Sequence, residues 1–138
     1  MVAAAAGSSW AQAPDLARYF GFGEPRTIVV DEGMGPALVA DVDADGLNDI
    51  VVANNPKSRL EIYRQRKEAR TDEQVERDFK VNRLPPSKFF DRVEISVSHR
   101  VQGFRVHDFD ADGKLDIVYV GDPGEVVVLR QKDTVVFE

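Results

Sequence analysis

The sequence predicts an all-β protein built from two copies of one antiparallel strand unit. Three observations carry this: apolar runs alternating with polar residues at period two, Gly and Pro clusters between those runs, and a nine-residue acidic segment that occurs twice. The chain has 138 residues, 43% apolar and 30% charged. That is enough for one modest domain with a continuous core, in a balance that excludes wholesale disorder.

The elements follow in order. A short helical turn is expected over 15–20, a strand at Arg26-Thr-Ile-Val-Val-Asp31 and a turn at Glu32-Gly-Met-Gly-Pro36. Ala37-Leu-Val-Ala40 enters the first acidic segment, and Asp49-Ile-Val-Val-Ala53 leaves it. Asn54-Asn-Pro-Lys57 turns the chain, and Arg59-Leu-Glu-Ile-Tyr-Arg64 alternates as a strand with one solvated face would. The unit then returns: Arg92-Val-Glu-Ile-Ser-Val97 alternates, Gly103-Phe-Arg-Val-His107 enters the second acidic segment and Asp116-Ile-Val-Tyr-Val120 leaves it. Gly121-Asp-Pro-Gly124 turns, and Val126-Val-Val-Leu-Arg130 stands where Leu60-Glu-Ile-Tyr-Arg64 stood. Asp41 and Asp108 are 67 residues apart, a period typical of stacked units that cannot each bury an apolar face alone. The units divide as 14–64 and 89–138.

Between them lies a charged stretch, 65–88, expected as a solvated excursion in the form of a loop or a short helix. Glu68, Asp72 and Glu76 are spaced four apart and would repel along one helix face, and Pro85-Pro86 ends any regular element. Val75, Phe79 and Val81 are its candidate apolar anchors.

The formal net charge of −6 argues against a broad nucleic-acid footprint. Residues 57–92 hold eleven basic and seven acidic side chains, which leaves −10 for the remainder, where eight carboxylates sit in the two acidic segments. The absence of cysteine excludes disulfides, thiolate metal sites and a thiol nucleophile. No stretch approaches the roughly 20 apolar residues that span a bilayer. Residues 1–13 end in Ala11-Gln-Ala13 before Pro14 and read as the remnant of a secretory signal peptide. A secreted, periplasmic or cell-surface location is the expectation.

The acidic segments carry the chemistry. Asp41, Asp43, Asp45 and Asp49, and again Asp108, Asp110, Asp112 and Asp116, fall at positions 1, 3, 5 and 9 of their loops, with Gly46 and Gly113 at position 6 for the reversal. The Leu47 and Lys114 carbonyls would follow at position 7. Ca²⁺ takes six to eight oxygens at about 2.3–2.6 Å, and the lack of His or Cys in the loops argues against zinc. Two bound Ca²⁺ ions would bring the formal charge from −6 to −2. Val52 and Tyr119 stand where an EF-hand would carry its Glu. Asp-rich turns without metal are the alternative.

Asp41-x-Asp-x-Asp-Gly-x-x-Asp49 followed by Ile-Val-Val, and Asp108-x-Asp-x-Asp-Gly-x-x-Asp116 followed by Ile-Val-Tyr, resemble the FG-GAP or VCBS-like repeats of integrin-alpha-like N-terminal β-propellers. The resemblance implies a partial β-propeller of about two antiparallel four-stranded blades with a long inter-blade excursion. It also implies one Ca²⁺ per acidic loop, and missing blades in a longer parent chain. The implied function is a noncatalytic extracellular or periplasmic scaffold for a protein or glycan partner; the alternative is an accessory part of a larger exported enzyme or electron-transfer protein. His99 and His107 show no nucleophile or acid partner by spacing, Ser96 and Ser98 fit exposed strand positions, and Tyr63 and Tyr119 fit packing positions.

Overall fold

The computed structural model describes residues 25–138. Residues 1–24, among them the signal-like residues 1–13 and the expected turn at 15–20, lie outside the described residues. The fold is mostly β, with two antiparallel sheets, a hairpin and one short helix.

The first sheet is a meander of β1 (Ala37–Ala40), β2 (Asp49–Asn54), β3 (Arg59–Gln65) and β4 (Phe90–Ser96). The second holds β5 (Arg100–His107), β6 (Asp116–Asp122) and β7 (Glu125–Leu129), and a hairpin of β8 (Gln131–Asp133) and β9 (Val136–Phe137) follows. The second sheet therefore has three strands where four were expected, and no closed sheet forms among the described residues.

The expected strand at 26–31 joins no sheet. The alternating run at 92–97 also changes place: it was grouped with the second unit, but β4 pairs with β3 from Arg59↔Ser96 to Gln65↔Phe90 and completes the first sheet. Alternation fixes which residues share a face, not which neighbour the strand joins. The charged excursion therefore connects the third and fourth strands of one sheet rather than two units.

Within it a helix does form, α1 (Asp72–Asp78). Thr71 Oγ1 accepts from the Gln74 amide and the Gln74 side chain accepts from the Thr71 amide, a capping box that satisfies two orphan donors. Because the helix starts at Asp72, Glu68 drops out of the repelling series. Of the candidate apolar anchors, Phe79 and Val81 are exposed and Val75 is half-buried. Arg70 anchors it instead, donating to the Ser87 and Phe90 carbonyls and to Asp91, beside Arg66, which also binds Asp91.

The two sheets share one core. Val51, Ala53, Leu60 and Ile62 from the first meet Phe104, Ile117 and Tyr119 from the second, with Val42, Val97, Val101 and Val135. Asn55 links the units by pairing its side chain with β5: its Nδ2 donates to the Val101 carbonyl at 3.0 Å and its Oδ1 accepts from the Val101 amide at 2.7 Å.

The sheets stack head to tail. Val51 pairs with Ile62 as Val118 pairs with Val128, and Ala53 pairs with Leu60 as Val120 pairs with Val126. These are corresponding positions of the two units, yet the first set faces the shared core while Val120, Val126 and Val128 face outward. Conversely, core-facing Ile117 and Tyr119 correspond to Ile50 and Val52 on the outer face of the first sheet.

The chain itself covers that outer face over β2 and β3, while Val39 on β1 stays exposed. Ile28, Met34 and Phe89 pack on Val52, Tyr63 and Phe90. Beside them lies a buried polar network in which Glu61 accepts from Arg59 Nε (2.7 Å), Asn54 Nδ2 (2.8 Å) and the Tyr63 hydroxyl (2.5 Å). Asn54 also donates to Asp31, which binds Lys57.

Candidate metal centre

Each acidic loop closes a hairpin whose last strand pair brings its ends together: Ala40↔Asp49 in the first unit and His107↔Asp116 in the second. The curl between them needs two residues at positive φ. Gly46 and Gly113 (87° and 86°) were expected there; Ala44 and Ala111 (57° and 60°) were not. Alanine resists this conformation by about 1–2 kcal/mol, so the loop contacts must impose it.

Those contacts are duplicated. Asp41 accepts from the Asp45 and Gly46 amides, each at 3.0 Å, and Asp108 accepts from the Asp112 and Gly113 amides at 3.2 and 3.0 Å. Asp45 Oδ1 accepts from the Leu47 amide at 2.9 Å, and Asp112 Oδ1 from the Lys114 amide at 2.8 Å. The first aspartate thus holds the loop's curl, and the third holds its exit.

Position 9 is the buried one. Asp49 accepts from the Val42 and Gln65 amides at 3.1 and 2.8 Å, and Asp116 from the Phe109 and Gln131 amides at 3.2 and 2.9 Å. One carboxylate therefore ties the start of its loop to the end of β3 in the first unit and to the first residue of β8 in the second, satisfying amides that would otherwise be orphaned. Burial pushes the Asp49 carboxyl above its ordinary range; the two amides oppose this, and the charges of Asp43 and Asp45 add to it.

One oxygen each from Asp41, Asp43 and Asp49 lies within 4.8 Å of the others, and Asp108, Asp110 and Asp116 repeat the arrangement. These are two carboxylate clusters able to hold a metal ion. Asp45 and Asp112, expected as ligands, fall outside the triads. Leu47 and Lys114, expected to ligate through their carbonyls, donate their amides to the loop turn, and Lys114 Nζ bonds the Lys132 carbonyl at 2.9 Å.

A cation at the end of the third strand had no assigned role. Arg64 Nε and Nη2 both donate to Asp43 Oδ2, at 2.8 and 2.5 Å. In the second unit Arg130 takes the same place but stands 3.8 Å from Asp110 with its side chain mostly exposed. The signal was present in the matching runs that end in Arg64 and Arg130, but strand pattern alone does not show which carboxylate an arginine reaches.

Ser96 and Ser98 are exposed and Tyr63 and Tyr119 buried, as expected. His107 stacks edge-on against Phe109, while His99 contacts Glu125 at 3.3 Å and Tyr119 at 3.5 Å. Among the described residues no helix is long and apolar enough to cross a membrane. In comparisons with known proteins, the chain matches no family model, no curated protein and no solved structure.

Proposed function

We propose that each acidic loop binds one Ca²⁺ ion, and that the ions act as structural ties in a noncatalytic, exported scaffold of FG-GAP or VCBS-like repeat units that displays its loops to a protein or glycan. The observation that carries the metal reading is the duplication: the same three carboxylates converge within the same distance in both units, on the same hydrogen-bonded frame. Three carboxylates held this close repel one another unless a cation or proton intervenes. An all-oxygen set on a glycine-bent loop suits a hard cation of variable coordination number better than Mg²⁺, which demands a stricter octahedron. Further ligands would come from Asp45 and Asp112, the Leu47 and Lys114 carbonyls, and water.

Metal binding to the native loops adds its free energy to folding. The ion would fasten the two strands of each hairpin to β3 through Asp49 and to β8 through Asp116. The scaffold reading rests on the repeat resemblance.

Calorimetric Ca²⁺ titration tests the site, beside a variant carrying Asp43→Ala and Asp110→Ala. Position 3 is the cleanest to remove, because the first and ninth aspartates hold backbone amides and their loss would disturb the loop itself. Two sites in the parent, none in the variant, and a calcium-dependent rise in melting temperature in the parent alone are expected. Equal stability of the parent in calcium and in chelator would refute the structural tie. A protein and glycan binding screen in calcium tests the scaffold role.

A further inference from the structure

The charged excursion builds a pocket that the acidic loops do not use. It lies between the excursion and the side chains of Tyr63, Phe90 and Arg92 on β3 and β4, with a volume of about 180 Å³. Ile28, Leu84 and Phe90 give it apolar walls, and Arg70, Lys80, Arg83 and Arg92 line it with four cations against one carboxylate, Asp78.

The cations are not equivalent. Arg70 binds Asp91 and Asp78, and Arg92 binds Glu94. Lys80 and Arg83 make no ion pair among the described residues. The Arg83 amide donates to the Lys80 carbonyl at 3.2 Å, so one turn carries both side chains to the same pocket. Like charges gathered without a counter-ion repel, and the pocket is left with a surplus of two positive charges beside apolar walls. The surrounding stretch, 57–92, carries +4 in a chain whose remainder carries −10, so the local field draws anions toward it.

We infer that this pocket binds a phosphate monoester with a small apolar body. A surplus of two charges matches a head that carries about −1.5 to −2 near pH 7, and an arginine such as Arg83 meets its oxygens with two parallel donors. The apolar walls take the organic group of the ester. A carboxylate would leave one positive charge uncompensated, and a bare inorganic dianion would leave the walls wet. This site stands apart from the acidic loops and does not depend on what they hold.

NMR titration of the isotope-labelled whole chain in calcium with phenyl phosphate reads the binding residue by residue. Saturable shifts confined to the pocket lining are expected. Sulfate, which has the head alone, should bind there more weakly, benzoate more weakly than phenyl phosphate, and phenol without saturation. Lys80→Gln with Arg83→Gln should weaken phenyl phosphate by about tenfold or more and leave the melting temperature unchanged, because both side chains are exposed. Arg100→Gln, exposed and outside the pocket, should leave the affinity unchanged. No saturable binding by the parent would overturn the inference, and that is also the result if residues 1–24 fill the pocket. A comparison ligand that binds as tightly as phenyl phosphate, or a double variant that binds as the parent does, would overturn it as well.

Discussion

The two acidic units share a hydrogen-bonded frame and differ in what surrounds it. Both first aspartates hold the amides at positions 5 and 6, and both ninth aspartates hold the position-2 amide and an amide 15 or 16 residues on, Gln65 at the end of β3 or Gln131 at the start of β8. The first unit adds a fourth strand, a forked arginine on its third-position aspartate and a cover over its outer face. The second has three strands, a loose arginine and an open valine face. The frame follows from the motif, because its bonds run between residues close in sequence or across one hairpin. The surroundings depend on residues far from the motif.

The largest effect should come from breaking what the units share. Asp49→Ala and Asp116→Ala each leave two backbone amides without an acceptor, and a buried unsatisfied group costs about 1–3 kcal/mol. Urea unfolding in chelator should show both variants destabilised, and by similar amounts. A loss confined to calcium-loaded protein would mean that position 9 serves the metal and not the frame.

Glu61 separates the units next, since Val127 holds its place in the second sheet. Burial raises the Glu61 carboxyl, but the bonds from Tyr63, Asn54 and Arg59 outweigh it and hold the group below its ordinary value of 4.5. Its stabilisation is therefore fully present above pH 4.5 and is lost as pH falls through the lower folded value. Glu61→Gln should cost about 1–3 kcal/mol at neutral pH, and its stability deficit should shrink on acidification. A deficit constant with pH would sink the ionised-network account.

The arginines sharpen the comparison by competition. Arg64 must surrender part of Asp43 before a cation can use both of its oxygens, and Arg130 makes no such claim on Asp110. Arg64→Gln should tighten calcium binding at the first site several-fold, while Arg130→Gln should leave the second site nearly unchanged, since exposed pairs contribute about 0–1 kcal/mol. Site-resolved titration by NMR would check this, and equal shifts at both sites would contradict it.

The smallest effect concerns strain common to both loops. Ala44→Gly and Ala111→Gly relieve a positive φ at the cost of a freer unfolded chain, so each should stabilise the chelated protein by no more than about 1 kcal/mol. Destabilisation by either would show that the alanine methyl packs usefully.

Local patterning made much of this legible. Period-two alternation located β2, β3, β5, β6 and β7, and Asp and Gly spacing located both loops. It misplaced β4, because an alternating strand carries no label for its neighbour, and it left 65–88 open between a loop and a short helix, because the repulsion of Glu68, Asp72 and Glu76 opposes the helix that the Thr71–Gln74 capping box starts. It also put Asp45 and Asp112 on a par with the other carboxylates. In the folded loop they stand outside the two triads, and one oxygen of each accepts the Leu47 or Lys114 amide.

By itself, then, the sequence determined the β class, the duplication and the two carboxylate loops, because those follow from side-chain periodicity and from bonds spanning at most a hairpin. Only the tertiary structure decided which sheet β4 joins, which arginine reaches which aspartate, and which of two equivalent faces is buried. Those outcomes depend on how two sheets stack, and the repeated pattern is nearly the same on either side of that interface.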